Sequence, residues 1–443
     1  MSIYLCILAF SACYIAARRS LVTGLGVVLL VGYAYGIVRA NVPETFSHFI
    51  FDSAVVGFYG AQLFRKLTPA QQWRTKSLRA WLEFLIAWPV LLFIIPAQAL
   101  LVQLVGLRAA IFFLPFILIG ARLEPEERFE LASWLAVLNL VVLGVAVAEF
   151  FLGLEHFFPK NPLTELIYKS KDLVGYTAYR IPSTFTNAHS YAGTMVMGMP
   201  MMIGAALQTR KHELRRTVLV AGLAAAILGV LLAATRTHFV GAALIILVAV
   251  FSIRSRIAHL IGWALMLFAI AWIVSGEQRL QRFTELRDTQ MVSDRIAGSV
   301  NMESIELARQ YPFGNGLGSG GTSMPYWLQA EITTPIVMEN EYVRIMLEEG
   351  LLGLGLWVAF VLWLGSRYQG PGNDPWLVGR RLAWAASSAY FLSGLLGIGL
   401  LTAVPQTALF LLGIGWVGAK QPAVQSVHAP ILSELANEYS LAK

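Results

Sequence analysis

The sequence predicts an all-α polytopic membrane protein of about 12–13 transmembrane helices, with one large, partly helical outward loop. Three observations carry this. Hydrophobic residues make up 57% of the 443 positions and charged residues only 13%, far from the balance of a soluble domain. Apolar stretches recur that are long enough to cross a hydrocarbon core, which takes about 20 residues of helix. Basic residues gather in short segments between those stretches, the pattern of positive-inside loops. The net charge of +7 therefore reads as topology rather than as a nucleic-acid surface.

Spans are expected near 3–17, 21–38, 47–64, 80–98, 102–121, 131–153, 190–207, 217–234, 237–252, 259–275, 343–365, 382–398 and 400–419. The first has no basic stretch before it and Arg18-Arg19 after it, so it reads as a retained helix, not a cleaved signal. Cys6 and Cys13 both fall inside it and form no extracytoplasmic disulfide framework. Pro89, Pro96 and Pro115 leave room for a re-entrant piece within 80–121. Arg18-Arg19, the 65–79 loop, 208–216, Arg254 with Arg256, and 366–381 should all be cytoplasmic. They share one side if all the spans cross, which puts the N-terminus outside and the tail after Lys420 inside.

The chain then divides into N-terminal spans (1–153), a first outward loop (154–189), central spans (190–276), a large outward loop (277–341), C-terminal spans (342–419) and a tail (420–443). The large loop holds five arginines against nine acids, opposite in sign to the cytoplasmic segments. Within it, 293–310 has the spacing of an amphipathic helix capped by Ser293 or Asp294. The glycine run that follows, Gly314 to Gly321, lacks the Gly-Lys-Ser/Thr of a nucleotide loop. It is expected as a tightly turned exposed segment, or as backbone lying close to a ligand. The seven histidines show no ligand spacing and no Asp-x-Asp pair occurs in either outward segment, so neither a metal nor a cofactor is expected.

Arginine is costly in or near hydrocarbon, about 2.5–3.5 kcal/mol at a helix centre on insertion scales. Arg236 sits in a tight turn between two apolar runs. Two readings are open: a side chain snorkelling to headgroups, or a planar fork that clamps a phosphate. Arg180, ahead of the 190–207 span, is either a solvated loop residue or a second anion ligand, and Arg108 is a third candidate. Glu339, just before the 343–365 span, has the position of a first-turn acid complementing a helix dipole.

Taken in order, several pieces resemble the O-antigen ligase and polymerase superfamily. They are Arg180 with Ser183-Thr184-Phe185 and Asn187, Thr235-Arg236 opening a span, and Ser293-Asp294-Arg295 ahead of an amphipathic helix. Pro312 to Gly318 follows, and Asn340-Glu341-Tyr342 runs on to Leu347-Glu348-Glu349-Gly350-Leu351-Leu352-Gly353-Leu354. The resemblance covers about 170 to 360. It implies a GT-C-like membrane glycosyltransferase in the bacterial inner membrane, with its site facing the periplasm. Such proteins transfer a glycan from a polyprenyl diphosphate carrier to an acceptor hydroxyl, without a metal. Donor and acceptor glycolipids, membrane lipid and other polysaccharide-assembly proteins are the partners it implies.

Ligases of this superfamily carry histidine immediately before the asparagine, and here Glu339 occupies that place. The departure favours a polymerase of O-antigen or exopolysaccharide units over a ligase acting on lipid A core or protein. On this resemblance Arg180 and Arg236 hold the diphosphate, Glu339 is the base, and Arg295, Asn340 and Tyr342 orient sugar or diphosphate. A transporter or flippase of lipid-linked glycans is the rival class. No inverted repeat is evident, and the charged residues gather at one face rather than at the midplane.

Overall fold

The computed structural model of the chain describes residues 1–170, 179–209, 213–253, 264, 290, 302–321, 324–325, 327–336, 340–370 and 374–420. Among these residues every regular element is helical. In chain order they are α1 (Ser2–Arg19), α2 (Leu21–Asn41), α3 (Ile50–Leu63), α4 (Pro69–Phe93), α5 (Leu100–Ile111), α6 (Phe116–Arg122), α7 (Pro125–Leu152) and α8 (Glu165–Lys169). They continue with α9 (Ala188–Gln208), α10 (Leu214–Ala233), α11 (Arg236–Ser252), α12 (Met302–Gln310), α13 (Glu341–Gly365), α14 (Leu377–Ser393) and α15 (Gln406–Gly418). Seven stretches are long and apolar enough to cross a membrane: α1, α2, Leu100–Arg122, α7, α9, α10 and α13; α11 and α15 are shorter apolar helices. The chain is thus a multi-pass membrane protein by length and composition of its helices.

Caps fix where helices begin. Thr68 and Gln71 form a capping box with Pro69 at the first helical position, and Glu124 and Glu127 do the same around Pro125. That box starts α4 eleven residues before the apolar run expected at 80, so its first turns carry Trp73, Arg74 and Lys76 beyond the apolar stretch. The span expected over 102–121 is interrupted at 112–115, where Pro115 cannot continue the α5 ladder. The two C-terminal spans are also displaced. α14 ends at Ser393 and α15 begins at Gln406, and the intervening 394–405 bends back on the start of α13. Apart from residue 264, positions 259–275, expected as a span, lie outside the described residues, as do Ser293, Asp294 and the part of the expected amphipathic helix before α12.

Helices pack through small residues, as lipid-soluble bundles do when apolar burial alone gives no preference between helix and lipid. A side chain at Gly415 would overlap the Ile117 carbonyl oxygen and one at Gly120 that of Leu412, so α6 and α15 meet backbone to backbone. Gly222 meets Ala136 and Gly229 meets the Tyr191 ring in the same way. The glycine run 314–321 is not an exposed turn. Leu317 and Ser319 are fully buried, and the absence of side chains lets its backbone press against Gly106 of α5 and Gly350 of α13.

Contacts mark the two ends of the bundle, with basic residues gathered at one of them. At one end Arg74 pairs with Glu124 at 2.9 Å, Lys420 N–H donates to the Arg74 carbonyl, and Arg380 donates to the carbonyls of Val417 and Ala419. Arg128 lies over the Trp376 and Trp416 rings and Arg215 over Phe129. At the other end, Ile37 N–H donates to Thr184, Asn161 to the Ala40 carbonyl, and Gln98 to the carbonyls of Asn315 and Thr333. Of the segments expected to share one side, those of Arg74, Arg215 and Arg380 meet here, and Arg254 and Arg256 lie outside the described residues.

Candidate functional site

Residues 179–187 form a strap held by two helices. Ser183 N–H donates to Glu149 of α7 at 2.9 Å and its hydroxyl donates to the Val142 carbonyl at 2.7 Å. The Thr184 hydroxyl donates to the Tyr33 carbonyl of α2. Phe185 is buried between the rings of Tyr33 and Tyr191, 5.2 and 5.3 Å away. Ser183 itself has φ +51°, a left-handed backbone that a serine holds only when its surroundings over-determine it. The strap ends at Asn187, whose side chain accepts from Ser190 N–H and caps α9.

Clamping the strap places Arg180 beside the start of α9, where its Nη1 lies 2.9 Å from His189 Nε2. The His189 ring meets the His238 ring edge to face at 5.8 Å. His238 belongs to the first turn of α11, the turn that Arg236 opens after a left-handed Ala234 and the buried N-cap Thr235. The starts of α9 and α11 are therefore adjacent, with Arg180 at His189 and Arg236 two residues before His238. His238 Nε2 also lies 3.2 Å from the Gln406 amide, the first residue of α15. Three helix N-termini, those of α9, α11 and α15, converge here. The positive ends of their dipoles thus lie near one another, while Ser190 N–H is taken by Asn187 and the Thr407 and Ala408 N–H groups by the Ala403 and Pro405 carbonyls. Positive charge close to helix starts favours a bound anion.

The contacts continue toward α13. The Tyr390 ring lies 6.5 Å from His238, and its hydroxyl donates to the Gly399 carbonyl at 3.3 Å. Gly399 N–H donates to Glu341 Oε2 at 2.8 Å. Asn340 caps α13, accepting from Tyr342 and Val343 N–H. The Tyr342 hydroxyl is directed to the Phe391 carbonyl at 3.0 Å. Arg108 stands apart in a different set of contacts: it forks onto Asp52 of α3 at 2.5 and 2.9 Å and lies over the Phe113 ring. Glu339 and Arg295 lie outside the described residues.

A charged cluster inside α13 escaped the sequence analysis. Arg344, with no exposed surface, donates to Glu341 at 2.7 Å and to Glu348 at 2.7 Å. Glu348 also accepts from Gly320 N–H at 3.2 Å, which ties the glycine run to the helix. Glu349 is buried beside them, and its carbonyl accepts from the Trp88 indole at 2.8 Å. The missed signal was spacing: Glu341, Arg344 and Glu348 stand at i, i+3 and i+7, one face of a helix. Among the described residues no three His, Cys, Asp or Glu side chains gather as metal ligands. Comparison of the chain with protein-family models and with curated proteins returns no match.

Proposed function

We propose that the chain is a membrane glycosyltransferase that polymerises polyprenyl-diphosphate-linked oligosaccharide repeat units, as an O-antigen or exopolysaccharide polymerase of the bacterial inner membrane. Its site would face the periplasm on a GT-C-like scaffold. The observation that supports this best is that Arg180 reaches His189 at the start of α9, and the His189 ring meets that of His238 in the turn of α11 that Arg236 opens. Two guanidinium groups backed by helix dipoles suit a diphosphate, whose oxygens accept charge-assisted hydrogen bonds two at a time.

In the proposed reaction the acceptor hydroxyl attacks the anomeric carbon from the face opposite the carrier. The anomeric C–O bond breaks with its electron pair passing to the carrier's diphosphate oxygen. Arg180 and Arg236 hold that diphosphate and stabilise the charge as it develops, an interaction strengthened where water is scarce. The acceptor's proton passes to Glu339, and the single displacement inverts the anomeric centre. Asn340, adjacent in sequence, and Tyr342 begin the rigid first turn of α13 from which the acceptor sugar would be oriented. Arg108, already forked onto Asp52, would act on substrate only through that ion pair.

The purified chain supplied with a carrier-linked repeat unit tests this. Chain growth without added divalent metal is expected, and Glu339→Gln should abolish it while the protein still inserts. Movement of the glycolipid across liposomes with no growth would replace the enzyme by a transporter. Transfer to lipid A core with no polymer would make it a ligase.

A further inference from the structure

At the basic end of the bundle, remote from the site above, α4 and α6 lie side by side and leave a groove of about 540 Å³ between them. Leu82, Ile86 and Val90 of α4 face Pro115 and Leu118 of α6 across it, and Arg79 stands at one end. Nearby Phe84 and Leu91 are 61% and 56% exposed, so this flank of α4 is turned outward, toward lipid in a membrane. From Arg79 to Val90 the helix rises about 16 Å, close to the hydrocarbon depth of one leaflet.

The head of the groove is cationic. Arg122 lies one turn beyond Leu118 on α6 and is close enough to feel the charges of Arg79 and Arg65. Its Nε is buried with no hydrogen-bond partner among the described residues. None of the three arginines makes an ion pair among the described residues, whereas nearby Arg74 is matched to Glu124. Glu83 lies one turn from Arg79 on the groove wall and offsets part of that charge; Glu124 is taken by Arg74. Like charges drawn together repel, and an anion placed between them removes that repulsion.

We propose that this groove binds an anionic glycerophospholipid, one acyl chain lying between α4 and α6 and the phosphate held by Arg79, Arg122 and Arg65. A basic pocket between spans next to a leaflet-deep apolar channel matches such a lipid at both ends. The inference does not depend on the glycosyltransferase reading.

Thermal unfolding of the detergent-purified full chain tests it, with added phosphatidylglycerol, phosphatidylcholine of the same acyl chains, or inorganic phosphate alone. Phosphatidylglycerol should raise Tm well above the effect of phosphatidylcholine, and the difference should shrink in high salt. Inorganic phosphate should not reproduce it. Arg79→Gln with Arg122→Gln should bind phosphatidylglycerol about thirtyfold more weakly. Ala87→Trp, which fills the groove and keeps the arginines, should also displace the lipid. Equal responses to the two lipids in the wild-type chain would overturn the proposal without any variant. So would a full response to inorganic phosphate alone, or wild-type affinity in the double arginine variant.

Discussion

Arg344 shows how a single guanidinium can organise a helix that sits among lipids. It is fully buried, as are both carboxylates it bridges. Those carboxylates in turn hold backbone N–H groups of Gly399 and Gly320, in two segments distant in sequence. Removing the cation leaves Glu341 and Glu348 buried without a counter-charge, which costs about 3–5 kcal/mol for a broken buried pair. Arg344→Leu should therefore lower Tm sharply in a detergent unfolding assay, and Arg344→Lys should lower it less, since the charge remains but the fork is lost. An unchanged Tm in Arg344→Leu would show that the cluster does not depend on the cation. Arg180 and Arg236 carry a different expectation. Each changed to alanine should reduce polymer at least about hundredfold, the scale of losing one donor to a developing anion, with membrane insertion and Tm close to wild type. Polymer at wild-type levels would remove that arginine from the proposed chemistry.

At the scale of elements, α13 concentrates what the fold does with sequence. Asn340 caps it, and ten residues later Gly350 breaks it at φ +74°. A side chain at Gly350 would meet both a strained backbone region and the main chain of Phe313. Leu351 N–H there donates to the Pro312 carbonyl and Asn315 N–H to the Leu347 carbonyl, so the glycine run plugs the break. Asn340→Ala should cost about 1 kcal/mol of stability by loss of the cap, and Gly350→Val should cost clearly more; equal small losses in Tm would show that the break tolerates a side chain. Much of this element was legible in advance: the span over 343–365 came from hydropathy, and the candidate residues before it from the family resemblance. The plug was not, because pairing between 312–321 and 347–351 is a long-range backbone event with no local signature. The same holds for 394–405, whose apolar composition resembles a span while its glycines and Pro405 end α14 and start α15. His189 and His238 failed every metal-spacing test in the sequence; that they meet at Arg180 depends on the strap between α2 and α7.

Across the described residues, the short basic segments between spans gather at one end. The segments with Arg74, Arg215, Arg380 and Lys420 meet at one, and the strap, the glycine run and the starts of α9, α11 and α13 lie at the other. This two-ended distribution was readable from basic clusters alone, because the rule that orients spans acts on sequence-local charge. Single cysteines at Lys66 and Phe313, both exposed, placed in a chain lacking Cys6 and Cys13, should differ in reactivity. A membrane-impermeant maleimide on intact cells should label Phe313→Cys and leave Lys66→Cys untouched until the cells are opened. Labelling of both from outside would break the assignment of sides.

The most direct test of the two-arginine site is equilibrium binding of a polyprenyl diphosphate to the purified chain, compared with the polyprenyl monophosphate. The wild-type chain should prefer the diphosphate, and Arg180→Ala and Arg236→Ala should each weaken it at least about tenfold while leaving the monophosphate less affected. Equal affinity of wild type and both variants for the diphosphate would contradict the site.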